Sequence, residues 1–213
     1  MLFFCIEFSS FHFIQNKSRV KVTRLKFSGR SKYERRKYTH INGTNYNLFK
    51  KVIKKLNQIR QEMSKNEVGA LLISPGPNFN WLFGSCPLSD ERPCFACITA
   101  TDLAFLVPAL NFEQLRSTLD YPFYVWYDQD GPCQEFKNLV SSLSQKKIGK
   151  VAVEEFLRAD FFLLVQQHFY NASIVFSGSI IGKLRMVKSD LEVKKLRNNA
   201  RVADDVMKKA LEN

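Results

Sequence analysis

The side chains best suited to chemistry begin with a cysteine pair. Cys94 and Cys97 are three positions apart, but neither a second pair nor a suitably spaced histidine follows to complete a zinc site. Residues three apart in a β-strand point to opposite faces, so this pair would not chelate one ion. We therefore expect two core cysteines. The chain has five cysteines, an odd number that favours reduced thiols over a disulfide framework.

The histidines and the paired glutamates indicate catalysis only weakly. His12, His40 and His168 are scattered, and His168 falls in an apolar helical segment where a packing role is expected. The Glu154-Glu155 pair follows a strand-like run and is predicted to be exposed or capping. No glycine-rich phosphate loop occurs. Because no acid and base groups stand at a recognisable spacing, a complete small enzyme is not the favoured interpretation.

The basic charge of the chain is concentrated near its start. The net charge is +12, which by itself suggests a nucleic-acid binder. Residues 1–60 hold 15 Lys and Arg against two acidic residues, whereas residues 61–213 have a net charge of −1. No recognition motif accompanies the basic run, so no specific nucleic acid is predicted. Non-specific binding to nucleic acid or an anionic surface through residues 17–60 is retained as an alternative function.

The first 45 residues resemble neither a membrane span nor a secretory signal. The apolar run of residues 1–14 is shorter than the roughly 20 residues that a transmembrane helix needs. Its positive charge follows the apolar part instead of preceding it. Residues 1–45 are predicted to be a poorly ordered basic extension or misread upstream codons. A cytoplasmic protein is expected, with organelle targeting by residues 1–40 as the alternative.

The remainder alternates helical and strand-like segments. Apolar residues from Leu48 to Met63, Phe49 and Ile53 among them, recur at spacings of one, three and four, which predicts an amphipathic helix that begins near Tyr46. A helix over residues 111–119 is expected to be capped by Asn111. Helical spacing recurs further on, and the apolar runs predict about six strands. This alternation predicts an α/β fold, with a mixed β-sheet flanked by helices. The strand-like runs are 70–74, 94–99, 103–107, 123–127, 148–153 and 172–176.

The final segment predicts a long amphipathic helix with a docking face. Ser189 and Glu192 have the spacing of a capping box. After them an apolar stripe recurs at helical spacing, and an exposed apolar stripe of this kind usually marks an interface. The docking positions are Val193, Leu196, Ala200 and Met207.

Several motifs, taken in order, resemble one family of metallopeptidases. The run from Leu184 to Ser189 is similar to the junction segment of creatinase, prolidase and aminopeptidase P, in which Arg-x-x-Lys-Ser opens the catalytic pita-bread domain. The Asn78-Phe-Asn-Trp-Leu-Phe-Gly84 run resembles the family's Asn-x-x-Tyr-Leu-x-Gly turn, with Trp81 and Phe83 as departures. The resemblance covers about residues 46–213. It implies a creatinase-type N-terminal domain at 46–182 and the first catalytic-domain helix at 183–213.

The same resemblance implies which chemistry this chain lacks. Family members bind two divalent ions, typically manganese, cobalt or zinc, through two Asp, one His and two Glu in the second domain. Asp204 and Asp205 would precede that region, and no histidine follows His168. The expectation is a non-catalytic, truncated N-terminal domain of an Xaa-Pro aminopeptidase or dipeptidase, with no cofactor of its own.

The resemblance also implies partners and two binding candidates. The family's N-terminal domain serves substrate access and oligomerisation and lies near a substrate pocket, often that of a neighbouring subunit. Arg92 and Trp81 are the residues that would face such a pocket. The expected partners are a second copy in a homodimer or a separately encoded catalytic domain that would complete a split peptidase.

Overall fold

The structure is a computed structural model that describes residues 43–144 and 147–212, with side chains from Phe49 onward. The predicted targeting signal of residues 1–40 and most of the predicted poorly ordered extension of residues 1–45 lie outside the described residues, whereas residues 43–45 are helical. The chain divides into a unit of residues 1–47 and a unit of residues 48–213. Apart from residues 43–47, the features described below lie in the second unit.

Helices and strands alternate through the second unit, as the sequence predicts. The helices are α1 (Gly43–Lys65), α2 (Pro77–Phe83), α3 (Ala109–Arg116), α4 (Cys133–Ser142), α5 (Ala159–His168), α6 (Ile181–Met186) and α7 (Asp190–Leu211). The strands are β1 (Ala70–Ile73), β2 (Phe95–Thr99), β3 (Leu103–Pro108), β4 (Phe123–Trp126), β5 (Lys150–Val153) and β6 (Ser173–Phe176).

The six described strands form one mixed sheet in the order β4-β3-β2-β1-β5-β6. Strand β2 pairs antiparallel with both β1 and β3, and the β2–β3 hairpin turns at Thr101 as predicted. The β1–β5, β5–β6 and β3–β4 pairs are parallel. Because β1 and β5 are parallel neighbours, the residues that follow them, Ser74 and Glu154, emerge at the same edge of the sheet.

Alternate residues of the strands build a core on each face of the sheet. In β1, Leu71 and Ile73 face the layer that contains α1, α2 and α3, whereas Ala70 and Leu72 face α4 and α5. Phe79, Phe83 and Phe105 pack together in the first layer, with ring centroids 4.7–6.2 Å apart. The sheet is thus covered by helices on both faces.

Three local features differ from the sequence predictions. Asn111 does not cap α3, because the helix begins at Ala109 directly after the extended Pro108 and encloses Asn111. The aromatic run at 77–83 is a helix that ends at Gly84, whose positive φ of 79° is the left-handed conformation that glycine adopts readily. The sequence pattern does not predict helix α6, because its six residues are too few to show a helical period.

The predicted helix stripe of α1 is only partly buried. Val52, Leu56 and Ile59 are buried as expected, whereas Phe49 and Ile53 are 47% and 37% exposed.

No helix in the described part of the chain is long and apolar enough to cross a membrane.

Candidate functional site

The cysteine pair and His168 occupy structural positions, as predicted. Cys94 belongs to the core on one face of the sheet and Cys97 to the core on the other. Burial raises the pKa of the Cys97 thiol to about 12 and also raises the pKa of Cys94. The His168 ring nitrogens lie near two backbone carbonyl oxygens, Nδ1 at 2.9 Å from that of Leu164 and Nε2 at 3.1 Å from that of Cys133. These positions support the packing roles predicted for all three residues.

Arg92 lies in the loop between α2 and β2, where it is surrounded by carboxylates. Its Nε and Nη2 donate to the two oxygens of Asp128 at 3.0 and 3.1 Å, and Nη1 donates to Glu91 at 2.8 Å. These contacts raise the pKa of Arg92 and lower that of Asp128. The backbone N–H of Arg92 also donates to Asp90 at 2.9 Å. The bidentate pair joins this loop to the end of β4.

Trp81 lies on α2 beneath a lysine of α1. The Lys55 ammonium is 4.5 Å from the centre of the Trp81 ring and donates a hydrogen bond to the Trp81 carbonyl. The indole is partly buried against the first core layer. Desolvation of this half-buried lysine lowers its pKa. Trp81 and Arg92 are therefore each held by a separate set of partners.

The prediction for the Glu154-Glu155 pair is wrong for Glu154, which is only 7% exposed. Its Oε2 accepts from the N–H of Ser74 at 2.7 Å and from the Ser74 hydroxyl at 2.5 Å. Its Oε1 accepts from the side-chain amide of Asn78 at 2.8 Å. The pairing of β1 with β5 brings these residues together, a relationship that no short motif reveals. Glu155 is exposed, as predicted.

Two cations anchor α6 to the first core layer. Arg185 Nη1 donates to Asn78 Oδ1 at 2.5 Å, and Lys183 Nζ pairs with the carboxylate of Glu62 at 2.9 Å. Hydrogen bonds from Lys65 and then Lys183 lower the pKa of Glu62. Asn78 thus bridges Arg185 and Glu154. We name the Glu154–Asn78–Arg185 set the junction relay.

Helix α7 begins with the predicted capping box and then buries none of its residues. The Glu192 carboxylate accepts from the Ser189 N–H at 2.8 Å, and the Ser189 hydroxyl accepts from the Glu192 N–H at 3.4 Å. The helix has 22 residues, a length of about 33 Å. Of the predicted docking positions, Val193 is partly exposed, Ala200 is exposed, and Leu196 and Met207 are 56% and 60% exposed.

No group of side chains in the described residues matches the two Asp, one His and two Glu that the family resemblance implies as ligands of two metal ions. Asp204 and Asp205 are exposed neighbours on α7. Within 43–144 and 147–212, no three His, Cys, Asp or Glu side chains are grouped so that they could hold an ion. Since two hard ions need converging oxygen and imidazole ligands, no catalytic step is assigned to this part of the chain.

The comparison with protein families matches the region that holds the sheet and its helices. The Creatinase/Prolidase N-terminal domain family matches residues 55–187, more than half of the chain. The chain belongs to this family. The resemblance found in the sequence motifs is thereby confirmed for both family and fold.

Known relatives of this creatinase/prolidase-type domain extend well beyond it. The Xaa-Pro dipeptidase of Pyrococcus horikoshii is 24% identical over 158 residues, which are 74% of this chain and 42% of that protein. A Thermococcus sibiricus prolidase shares the fold with a TM-score of 0.70 and 21% identity, over 76% of this chain and 44% of that one. The chain therefore spans less than half the length of these two relatives.

A third relative matches the domain almost end to end. The match to the solved chain of a proline dipeptidase from Streptococcus pneumoniae spans 63% of this chain and 98% of that chain. The TM-score is 0.58 and the identity is 26%.

Proposed function

We propose that this chain is the substrate-access and oligomerisation domain of an Xaa-Pro dipeptidase-like protein, and that it hydrolyses no peptide by itself. A domain in contact with α7 would supply the metal centre, either within a longer protein or as the separately encoded half of a split peptidase. The family match supports the parent activity. One observation supports a separate domain that would supply the metal centre: the capped, 22-residue helix α7 buries none of its residues.

The physical argument concerns the free energy of α7. Most helices in proteins are stabilised mainly by the packing of one apolar face, and α7 buries none of its residues. The apolar stripe of α7 includes three alanines, Ala200, Ala203 and Ala210, which allow close approach of another helix. A partner domain that covers this stripe would provide the missing packing free energy.

Arg92 and Trp81 remain the proposed contributors to substrate access. The carboxylates of Asp90, Glu91 and Asp128 outnumber the Arg92 guanidinium that they contact, so this group of four side chains carries a net negative charge. That charge favours a substrate ammonium group, and Arg92 would then order the loop instead of binding a substrate carboxylate. The Trp81 ring would contribute an apolar wall to the substrate path, while the Lys55 ammonium lies over the ring.

The first test is an assay of the purified chain on Xaa-Pro dipeptides with added Mn²⁺ or Co²⁺. We expect no turnover above background, and turnover would disprove the absence of catalysis. Sequencing the DNA downstream tests the partner. An open frame that encodes two Asp, one His and two Glu in family order would support a supplied metal domain, whereas a decayed sequence would support a remnant.

The second test compares two faces of α7 in co-purification with that downstream domain. Leu196→Glu with Met207→Glu places charge on the stripe, and we expect loss of binding. Asn198→Glu with Val202→Glu is the matched control, because both side chains are exposed and lie about 130–170° around the helix from the line through Leu196 and Met207. Equal effects of the two pairs would contradict the proposed docking face.

An anionic surface is the second candidate, supported by the exposed face of α1. Lys50, Lys51 and Lys54 are exposed there together with Phe49 and Ile53. Basic and apolar side chains on one helix face favour anionic membranes or nucleic acid. If Lys50→Glu, Lys51→Glu and Lys54→Glu together leave salt-dependent binding to anionic vesicles or RNA unchanged, this role of α1 is excluded.

A further inference from the structure

Few contacts tie the segment between α6 and α7 to the sheet unit, although Glu192 in the first turn of α7 lies near enough to Lys55 of α1 for the two charges to interact. Helix α6 is held at its start by the buried side chains of Ile180 and Ile181, with Leu184 packed against the same core. The next residues are solvent-exposed, Met186 to 75% and Val187 to 81%. Among the described residues, Arg185 is the last whose side-chain hydrogen bond reaches the sheet unit before α7 begins.

The acceptor of that hydrogen bond is itself fixed in place. The Asn78 amide uses its oxygen for Arg185 and its nitrogen for Glu154, so neither half can rotate without losing a bond. Glu154 is buried and is held by the Ser74 backbone and hydroxyl. A buried carboxylate that accepts from three donors is costly to move or to leave unpaired, so the Glu154 end of the relay is held in place.

We propose that Asn78 is a positioning residue that sets the direction of α7 relative to the sheet through Arg185. Only Val187, Lys188 and Ser189 separate α6 from α7. Loss of the Arg185 bond frees the end of α6 at the point where the chain turns toward α7. The relay leaves the fold of the sheet intact and narrows the range of α7 orientations. This inference concerns the chain alone and does not depend on the proposed peptidase role.

The test measures a distance between α4 and α7 by pulsed electron paramagnetic resonance. One spin label is attached to the exposed native Cys133 and the other to Lys208→Cys, in a background with Cys5→Ser and Cys86→Ser. The unaltered relay is expected to give a single narrow distance distribution. Asn78→Ala and, separately, Arg185→Met are expected to broaden it while the circular dichroism spectrum stays the same.

Two features keep the outcome decisive. Arg185→Met leaves the Asn78–Glu154 bond in place, so it tests the relay even if Asn78→Ala fails to fold. Asn198→Ala, on the exposed surface of α7, is the matched amide control and is expected to leave the distribution narrow. Distributions for Arg185→Met that superimpose on the parent would overturn the proposal, as would equal broadening by Asn198→Ala.

Discussion

Arg185 and Asn78, separated by 107 positions in the chain, are joined by a hydrogen bond of 2.5 Å. Each belongs to a motif that the sequence shows separately: Asn78 opens the aromatic run of α2, and Arg185 opens the junction segment. Their contact, continued to the buried Glu154, ties the carboxyl edge of β1 and β5 to the segment that leads into α7. The two motifs therefore belong to one structural unit.

Replacing Glu154 by glutamine is expected to destabilise the fold by about 2–4 kcal/mol. Glutamine keeps the shape but offers one carbonyl oxygen, so its NH₂ group would face the Ser74 or Asn78 donors that the carboxylate now accepts. Urea denaturation monitored by circular dichroism measures the change. Glu155→Gln, at the exposed neighbouring position, should change the unfolding free energy by less than about 0.5 kcal/mol. Equal losses would contradict this assignment.

Thiol reactivity should separate the cysteines by burial. Cys133 is exposed, whereas Cys94 and Cys97 are buried. With its pKa raised to about 12, Cys97 is a thiolate in only about one molecule in 10,000 at pH 8. Iodoacetamide should therefore modify Cys133 quickly and leave Cys94 and Cys97 intact until urea unfolds the chain. Peptide mass spectrometry gives the rates, and modification of Cys97 at the rate of Cys133 would show that the core opens readily.

Acid should weaken the anchoring of α6 through Glu62. The folded pKa of Glu62 is lowered by Lys65 and Lys183, below the unfolded value of about 4.3. The contribution of Glu62 to the free energy of unfolding is therefore fully present above about pH 4.3 and is lost as the pH falls through the lowered pKa. Urea unfolding measured between pH 7 and pH 3 should show that the free energy of unfolding declines less steeply for Glu62→Gln than for the parent chain.

The control for that acid dependence is Glu113→Gln. The Glu113 side chain is 77% exposed and its contact with Arg116 is 3.5 Å, so this ion pair should contribute little to the free energy of unfolding. If Glu62→Gln and the parent chain decline with the same slope, Glu62 does not stabilise the fold through its charge.

Removing the capping hydroxyl should fray the start of α7. Ser189→Ala removes one half of the capping box, which typically costs about 1 kcal/mol. Because α7 buries no side chain, tertiary packing cannot compensate. We expect faster amide hydrogen exchange over residues 190–195. Ser117→Ala, whose hydroxyl donates to the Gln114 carbonyl at the end of α3, should leave that exchange unchanged. Unchanged exchange in Ser189→Ala would show that the box contributes little.

Local features were predictable from sequence because they depend on neighbours in the chain. The alternation of apolar runs predicts six strands, the Ser189 and Glu192 spacing predicts the capping box, and the opposite facing of Cys94 and Cys97 follows from strand geometry. Family membership followed from motif order. The Asn111 cap failed because Pro108 already ends the strand and α3 begins two residues before Asn111.

Tertiary structure alone decided how distant residues combine. The sequence by itself leaves Glu154 as half of an acidic pair, and only the parallel pairing of β1 and β5 places it beside Ser74 and makes it a buried acceptor. Arg185 likewise finds Asn78 only when α6 packs on the first core layer. Periodicity and caps are local and can be read along the chain. Strand pairing and helix packing join residues that the chain holds far apart.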